Sequence, residues 1–193
     1  MFEKGRGVPQ NDKTAVKWWK LAAEQGHAKS QYNLGVMFEK GRGVPQNYKT
    51  AVKWYRRAAE QGNATAQFNL GVMYHEGQGV PQDYKTAVKW FTLAAEQGDV
   101  DAQTNLGNMY EKGQGVPKNY KTALKWFRLA AEQGDASAQS NLGYMYDWAI
   151  GVPKNYKTAL KWYRRAVKQG NASGQHNLGV MYQYGKGVPK NYK

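Results

Sequence analysis

Residues 44–79 read VPQNYKTAVKWYRRAAEQGNATAQFNLGVMYHEGQG, and nearly the same 36 residues recur along the whole chain. The tripeptide Gly-Val-Pro stands at Gly7-Val8-Pro9, Gly43-Val44-Pro45, Gly79-Val80-Pro81, Gly115-Val116-Pro117, Gly151-Val152-Pro153 and Gly187-Val188-Pro189, always 36 residues apart. The 193 residues therefore hold five full periods and part of a sixth, without insertion or deletion. A fixed period in the range of roughly 20–50 residues marks a stack of identical supersecondary units.

Within one period the residues predict two helices. Pro45 keeps the residue before it extended and cannot continue an earlier helix. Asn47 is placed to cap a helix B running Tyr48–Gln61. Ala51, Val52, Trp54, Tyr55, Ala58 and Ala59 give that helix a wide apolar face at 3.6-residue periodicity. Gly62 supplies a positive-φ stop. Asn63 follows at once as the cap of a helix A, Ala64–Glu76, so the connection is short and the two helices run antiparallel. Neither buries its apolar face alone, and stacking successive pairs makes a continuous core. The expected fold is an all-α solenoid of 36-residue helix-turn-helix repeats, with residues 1–193 forming a single array.

Comparing the repeats with one another separates packing positions from free ones. Trp18, Trp54, Trp90, Trp126 and Trp162 share one column and are expected to anchor the core of each layer. Gly35, Gly71, Gly107, Gly143 and Gly179 fall in mid-helix, where glycine costs about 1 kcal/mol relative to alanine. Five such costs imply a steric demand, the close approach of a neighbouring helix. Asn33, Asn69, Asn105, Asn141 and Asn177 are expected to hydrogen-bond backbone between layers.

The string Ala-x-Ala-Gln-x-Asn-Leu-Gly-x-Met-Tyr-x-x-Gly-x-Gly-Val-Pro at Ala64–Pro81 resembles the Sel-1-like repeat family, relatives of the tetratricopeptide repeats. Lys-Thr-Ala-Val-Lys-Trp-Tyr-x-x-Ala-Ala-Glu-Gln-Gly at Lys49–Gly62 resembles the rest of the same unit. The resemblance implies a right-handed superhelix with helix A towards the concave side and helix B towards the convex side. It also implies an adaptor that assembles protein complexes, as bacterial relatives do in host interaction, signalling or toxin immunity. Some relatives staple each repeat with a disulfide; this chain has no cysteine.

If packing freezes some columns, those that vary are free to carry specificity. On helix A the varying columns, three or four residues apart, form one stripe. It presents Tyr32 and Val36, Phe68 and Val72, Thr104 and Asn108, Ser140 and Tyr144, and His176 and Val180 in successive repeats. Aromatic and small polar groups on a concave wall are what a peptide or protein partner requires. The fifth loop departs from the pattern with Asp147-Trp148-Ala149-Ile150-Gly151. There Ala149 takes a glycine position expected at positive φ. Trp148 and Ile150 put apolar groups into columns that are otherwise mostly charged or amide, which points to a contact.

Charge is uneven as well. The first 147 residues carry +5 of the net +14; beyond Asp147 there are nine basic residues and no acidic one. Lys154, Lys157, Lys161, Arg164, Arg165 and Lys168 make a basic patch that would meet an acidic surface or nucleic acid. The recurrent polar readers that a base-by-base RNA code needs are missing from the helix-A stripe, and the basic residues lie mainly on the other helix, which argues against such a code.

Nothing in the sequence indicates catalysis, a cofactor or a metal. His27, His75 and His176 occupy three different columns, with no His-x-x-x-His pair. No serine stands in a Gly-x-Ser-x-Gly elbow. The Gly-x-Gly segments follow helices and not strands, so they are helix stops and not a dinucleotide cradle. His27 is read as a helix cap and His75 as lying near a helix end. No apolar run approaches the ~20 residues that span a membrane. Met1 falls in a helix-A column and Lys193 just inside a helix B, and neither end shows a polar capping unit. These ends suggest a piece of a longer array or end-to-end association of copies.

Overall fold

The computed structural model describes residues 9–188. Met1 and Lys193, to which the sequence assigns helical positions, lie outside the described residues, as does Lys190. Among the described residues there are ten helices and no strand: α1 (Asp12–Glu24), α2 (Ala28–Lys40), α3 (Tyr48–Glu60), α4 (Ala64–Glu76), α5 (Tyr84–Glu96), α6 (Val100–Lys112), α7 (Tyr120–Glu132), α8 (Ala136–Trp148), α9 (Tyr156–Lys168) and α10 (Ala172–Gln183). The odd-numbered helices are type B and the even-numbered ones type A. The chain forms two compact units, one ending at Asp99 with α1–α5, the other beginning at Val100 with α6–α10.

Helix ends follow the local chemistry. Asn47, with extended φ and ψ, accepts from the Thr50 amide at 2.9 Å and starts α3. Asn11, Asn119 and Asn155 do the same for α1, α7 and α9. Asp83 takes this role at α5, where the Thr86 hydroxyl, and then the Thr86 amide, hold its carboxyl below the usual range. Asn63 accepts from the Ala66 amide at 2.8 Å and starts α4. His27 caps α2 through Nδ1, which accepts from the Ser30 amide at 3.2 Å.

The Gly-x-Gly loop works through two separate constraints. Gly77 ends α4 in the left-handed region, at φ 73°, with its amide donating to the Met73 carbonyl. Gly79 is also left-handed, and a Cβ there would sit 2.5 Å from the Tyr48 carbonyl carbon and oxygen, so α3 passes directly over it. Ala149 occupies the position of Gly77 in the fifth loop and keeps the same geometry, at φ 59°, the one non-glycine at positive φ among the described residues. An L-alanine there is strained, so Ala149→Gly is expected to stabilise the chain by about 1 kcal/mol. Thermal unfolding checks this; an unchanged or lowered midpoint would refute the strain.

In the first unit α2 packs chiefly on α3 and α4 on α5; in the second α6 packs on α7 and α8 on α9. The most extensive packing thus joins helices on either side of the Gly-x-Gly-Val-Pro loop. The pair joined by the short Gly62 turn, α3 and α4, is packed less extensively.

The mid-helix glycines receive aromatic rings. Tyr55 lies against Gly35 and Phe91 against Gly71 in the first unit; Phe127 lies against Gly107 and Tyr163 against Gly143 in the second. These four rings are fully buried. A Cβ at Gly71 would come within 2.6 Å of the Phe91 ring. The steric demand is therefore real, and its source is the residue after each tryptophan.

The tryptophans are a second layer of packing. Trp54 joins a core with Val16, Leu34 and Met37, and Trp162 one with Leu142 and Met145. Trp126 is also buried and Trp90 half-buried. Trp18 departs from the expected anchor role and is 51% exposed. Trp54 and Trp162 each cover the core of the repeat before their own.

The expected asparagine bonds to backbone between layers are corrected at two positions. Asn105 donates to the Asp101 carbonyl inside its own helix, and Asn141 to the Asn108 side chain. The buried amide column is glutamine. Gln31, Gln67 and Gln139 donate to the carbonyls of Ala23, Ala59 and Ala131 at 3.0–3.1 Å. Their Oε1 atoms then accept from Gln61, Gln97 and Gln169 of the next type-B helix at 2.6, 2.7 and 3.0 Å. Gln103 accepts from Gln133 in the same way, at 2.8 Å. A buried amide needs this full set of partners.

Candidate functional site

In the first unit the type-A stripe lies half-buried over the core. Tyr32 stacks on Tyr55 with ring centroids 5.9 Å apart, and Phe68 on Phe91 at 5.8 Å. Val36 and Val72 lie one turn further along their helices. Phe68, Val72 and Met73 floor an open recess of about 510 Å³, with Glu39, Lys40 and Glu76 on its rim. A smaller recess of about 130 Å³ lies between Trp19, Tyr32, Val36 and Arg42. The Glu39 carboxylate accepts from the buried Tyr55 hydroxyl and faces the Lys40 ammonium at 3.3 Å. Burial first, and that carboxylate second, push the Tyr55 hydroxyl far above the ordinary tyrosine range, so it stays a donor.

In the second unit the stripe is less uniform. Ser140 is 3% exposed and has no surface to offer a partner, which removes it from the candidate residues. Thr104 donates to Asp135, the cap of α8, at 3.2 Å, and Asn108 accepts from Asn141 at 3.4 Å. His176 is exposed and Val180 half-buried. Tyr144 and Trp148 are 40% and 57% exposed, one turn apart on α8, with rings 6.1 Å from centroid to centroid. Ile150, expected as an exposed contact in the loop, is half-buried against the Leu142–Met145 core instead.

Around Trp148 the fifth loop has its own ion pair. Asp147 is 4% exposed and meets Lys186 Nζ at 3.1 Å. The same ammonium lies 4.9 Å from the Trp148 ring centroid and 5.8 Å from that of Tyr156. Asp147 stands where Glu39 stands in the second repeat but is one methylene shorter. The Tyr163 hydroxyl, counterpart of Tyr55, is accordingly buried without a hydrogen-bond partner among the described residues. Burial, then the nearby Asp147 charge, push that hydroxyl far above its ordinary range. Tyr184, 59% exposed, shares a column with Trp148 and was missed in the sequence. The signal was there: Lys40, Glu76 and Lys112 are followed in that column by two aromatic residues.

The basic patch is on the type-B side. Lys154, Lys157, Lys161, Arg164, Arg165 and Lys168 are all exposed. Among the described residues no three His, Asp or Glu side chains converge as metal ligands would. No helix among them is long and apolar enough to cross a membrane.

The Sel1 repeat model matches residues 1–27, 28–63, 64–99, 100–135, 136–171 and 172–193, and so the whole chain. The chain belongs to the Sel1 repeat family. It is similar to a protective antigen present in uropathogenic Escherichia coli strains that displays an SLR fold. There the identity is 43% over 99% of this chain, with a TM-score of 0.94. The chain spans 41% of that antigen's length. It is also similar to a Sel1 repeat protein from Oxalobacter formigenes, at 41% identity over 99% of this chain and 78% of that one, TM-score 0.91. Helicobacter pylori cysteine-rich protein B is more distant, at 26% identity over 65% of this chain and 90% of that one, TM-score 0.52. No curated protein of known function matches. Sel1 repeat proteins are helical scaffolds for protein interaction, and this all-α repeat array has that architecture.

Proposed function

We propose that this Sel1 repeat chain is a non-enzymatic adaptor that holds a peptide or protein partner on its type-A helix face. The observation that carries the reading is the exposed pair Tyr144 and Trp148, two large rings on one turn of α8 where the matching positions of α2 and α4 hold valine with lysine or glutamate. Large aromatic groups that remain open to solvent on a rigid helix are the usual anchors of a protein interface. Phe68, Val72 and the recess beside them supply a similar surface in the first unit. His176 and Val180 extend the stripe in the second.

The Tyr144→Ala/Trp148→Ala double variant tests this. Neither ring belongs to the buried core, so the fold is expected to survive. Peptides selected from a displayed random library against the unaltered chain are expected to bind the variant at least about 30-fold more weakly, the scale of losing interface anchors. Selected peptides that bind both forms equally would place recognition elsewhere.

A further inference from the structure

The exposed face of α9 differs from that of every other type-B helix. Lys157, Lys161, Arg164, Arg165 and Lys168 follow one another at intervals of four, three, one and three residues, so they share one side of the helix. α9 contains five basic residues and no acidic one, whereas α7 has three basic residues and Glu132. The difference lies in two columns. Glu24, Glu60, Glu96 and Glu132 occupy one surface position, and α9 reverses its sign with Lys168. Leu21, Leu93 and Leu129 occupy another, where α9 has Arg165 and α3 has Arg57; α3 keeps Glu60, so α9 alone departs in both columns.

None of these five cations is in an ion pair among the described residues. Like charges one turn apart destabilise an isolated helix by about 0.2–0.5 kcal/mol per pair, and α9 keeps several such pairs. Aromatic neighbours hold the charges outward. The Arg165 guanidinium lies 4.8 Å from the Trp162 ring centroid, and Arg164 donates to the Tyr182 hydroxyl at 2.9 Å. Between the cations is a recess of about 410 Å³ whose apolar lining is Leu160 and Val188.

We infer that this face of α9 is a second binding surface, taking an acidic, Asp/Glu-rich segment of a protein. The cations supply the charge complement. A single-stranded nucleic acid would need an open aromatic platform for stacking. Trp162 is buried and carries Lys161 and Arg165 over its ring, which denies it that role. A lipid surface would need apolar groups projecting outward, whereas Leu160 is buried and Val188 half-buried.

The test installs in α9 the residues the chain already carries at the same positions of α7, namely Arg165→Leu and Lys168→Glu, matching Leu129 and Glu132. A labelled oligoglutamate peptide of about a dozen residues is titrated against both forms, at about 50 and about 300 mM salt. The expected result is binding at low salt that weakens at least about tenfold in the double variant and about tenfold at the higher salt. Tyr144→Ala/Trp148→Ala is expected to leave this affinity unchanged, which separates the surface from the one on the type-A face. Absence of binding at low salt, equal binding by the α9 variant, or loss through the Tyr144/Trp148 variant would overturn the inference. So would a single-stranded oligonucleotide or a phosphatidylserine vesicle that binds more tightly than the peptide with the same sensitivity to the α9 variant.

Discussion

Phe127→Ala is expected to destabilise the second unit by about 3–5 kcal/mol, the range for removing a fully buried aromatic side chain. Phe127 is 0% exposed, sits on Gly107 and shares a core with Ala130, Leu142 and Met145. It therefore joins α6, α7 and α8, and the void left by its ring opens between three helices. Urea denaturation followed by far-ultraviolet circular dichroism measures the loss. Repeat arrays unfold in segments when one layer is weakened, so an added transition at low urea is the expected form. A loss below about 1 kcal/mol would mean that the ring's contacts with the glycine column do not organise the stack.

Gly71→Ala is expected to destabilise the first unit by about 1–3 kcal/mol, although alanine is the better helix former by about 1 kcal/mol. The added Cβ would stand 2.6 and 2.7 Å from two carbons of the Phe91 ring, and that ring, itself buried, has nowhere to retreat. Gly179 is the matched control. It holds the same position in α10, has nothing within 4 Å of an added Cβ, and is exposed. Gly179→Ala is therefore expected to be neutral or to stabilise by up to about 1 kcal/mol. Thermal midpoints of the two variants should move in opposite directions. If both rise, ring packing is not what the mid-helix glycines serve.

These two positions also show how the sequence carried the fold. The helix bounds followed from Asn47, Gly62 and Asn63, because caps and stops are local chemistry. Glycine repeated in mid-helix announced a close approach for the same reason: a local cost recurring in register needs a cause. The identity of the approaching group was not legible, because Trp54 and Tyr55 lie side by side on one apolar face. Only the docking angle of the next helix decides that Tyr55 goes to the centre. Asparagine and glutamine were equally ambiguous. Asn69 and Gln67 are both repeated amides on α4, but Gln67 alone points at a carbonyl of the preceding helix.

Legibility of the candidate surfaces was lower. Variation between repeats located the stripe, and exposure then divided it, keeping Tyr144 and Trp148 and burying Ser140. Variation arises both where a partner is contacted and where an interior site tolerates several small residues. The left-handed Ala149 was read correctly, since a β-carbon in that region is unfavourable in any context.

The glutamine ladder bears on how an array like this comes apart. Gln67 donates to its own repeat's neighbour helix and accepts from Gln97 of the following one, so a single side chain serves two layers. If one layer opens, the next loses a hydrogen bond worth about 0.5–1.5 kcal/mol that it held before. Melting is thus contagious inside each unit: damage at one rung raises the odds of failure at its neighbour, and a tug on one helix is shared among several.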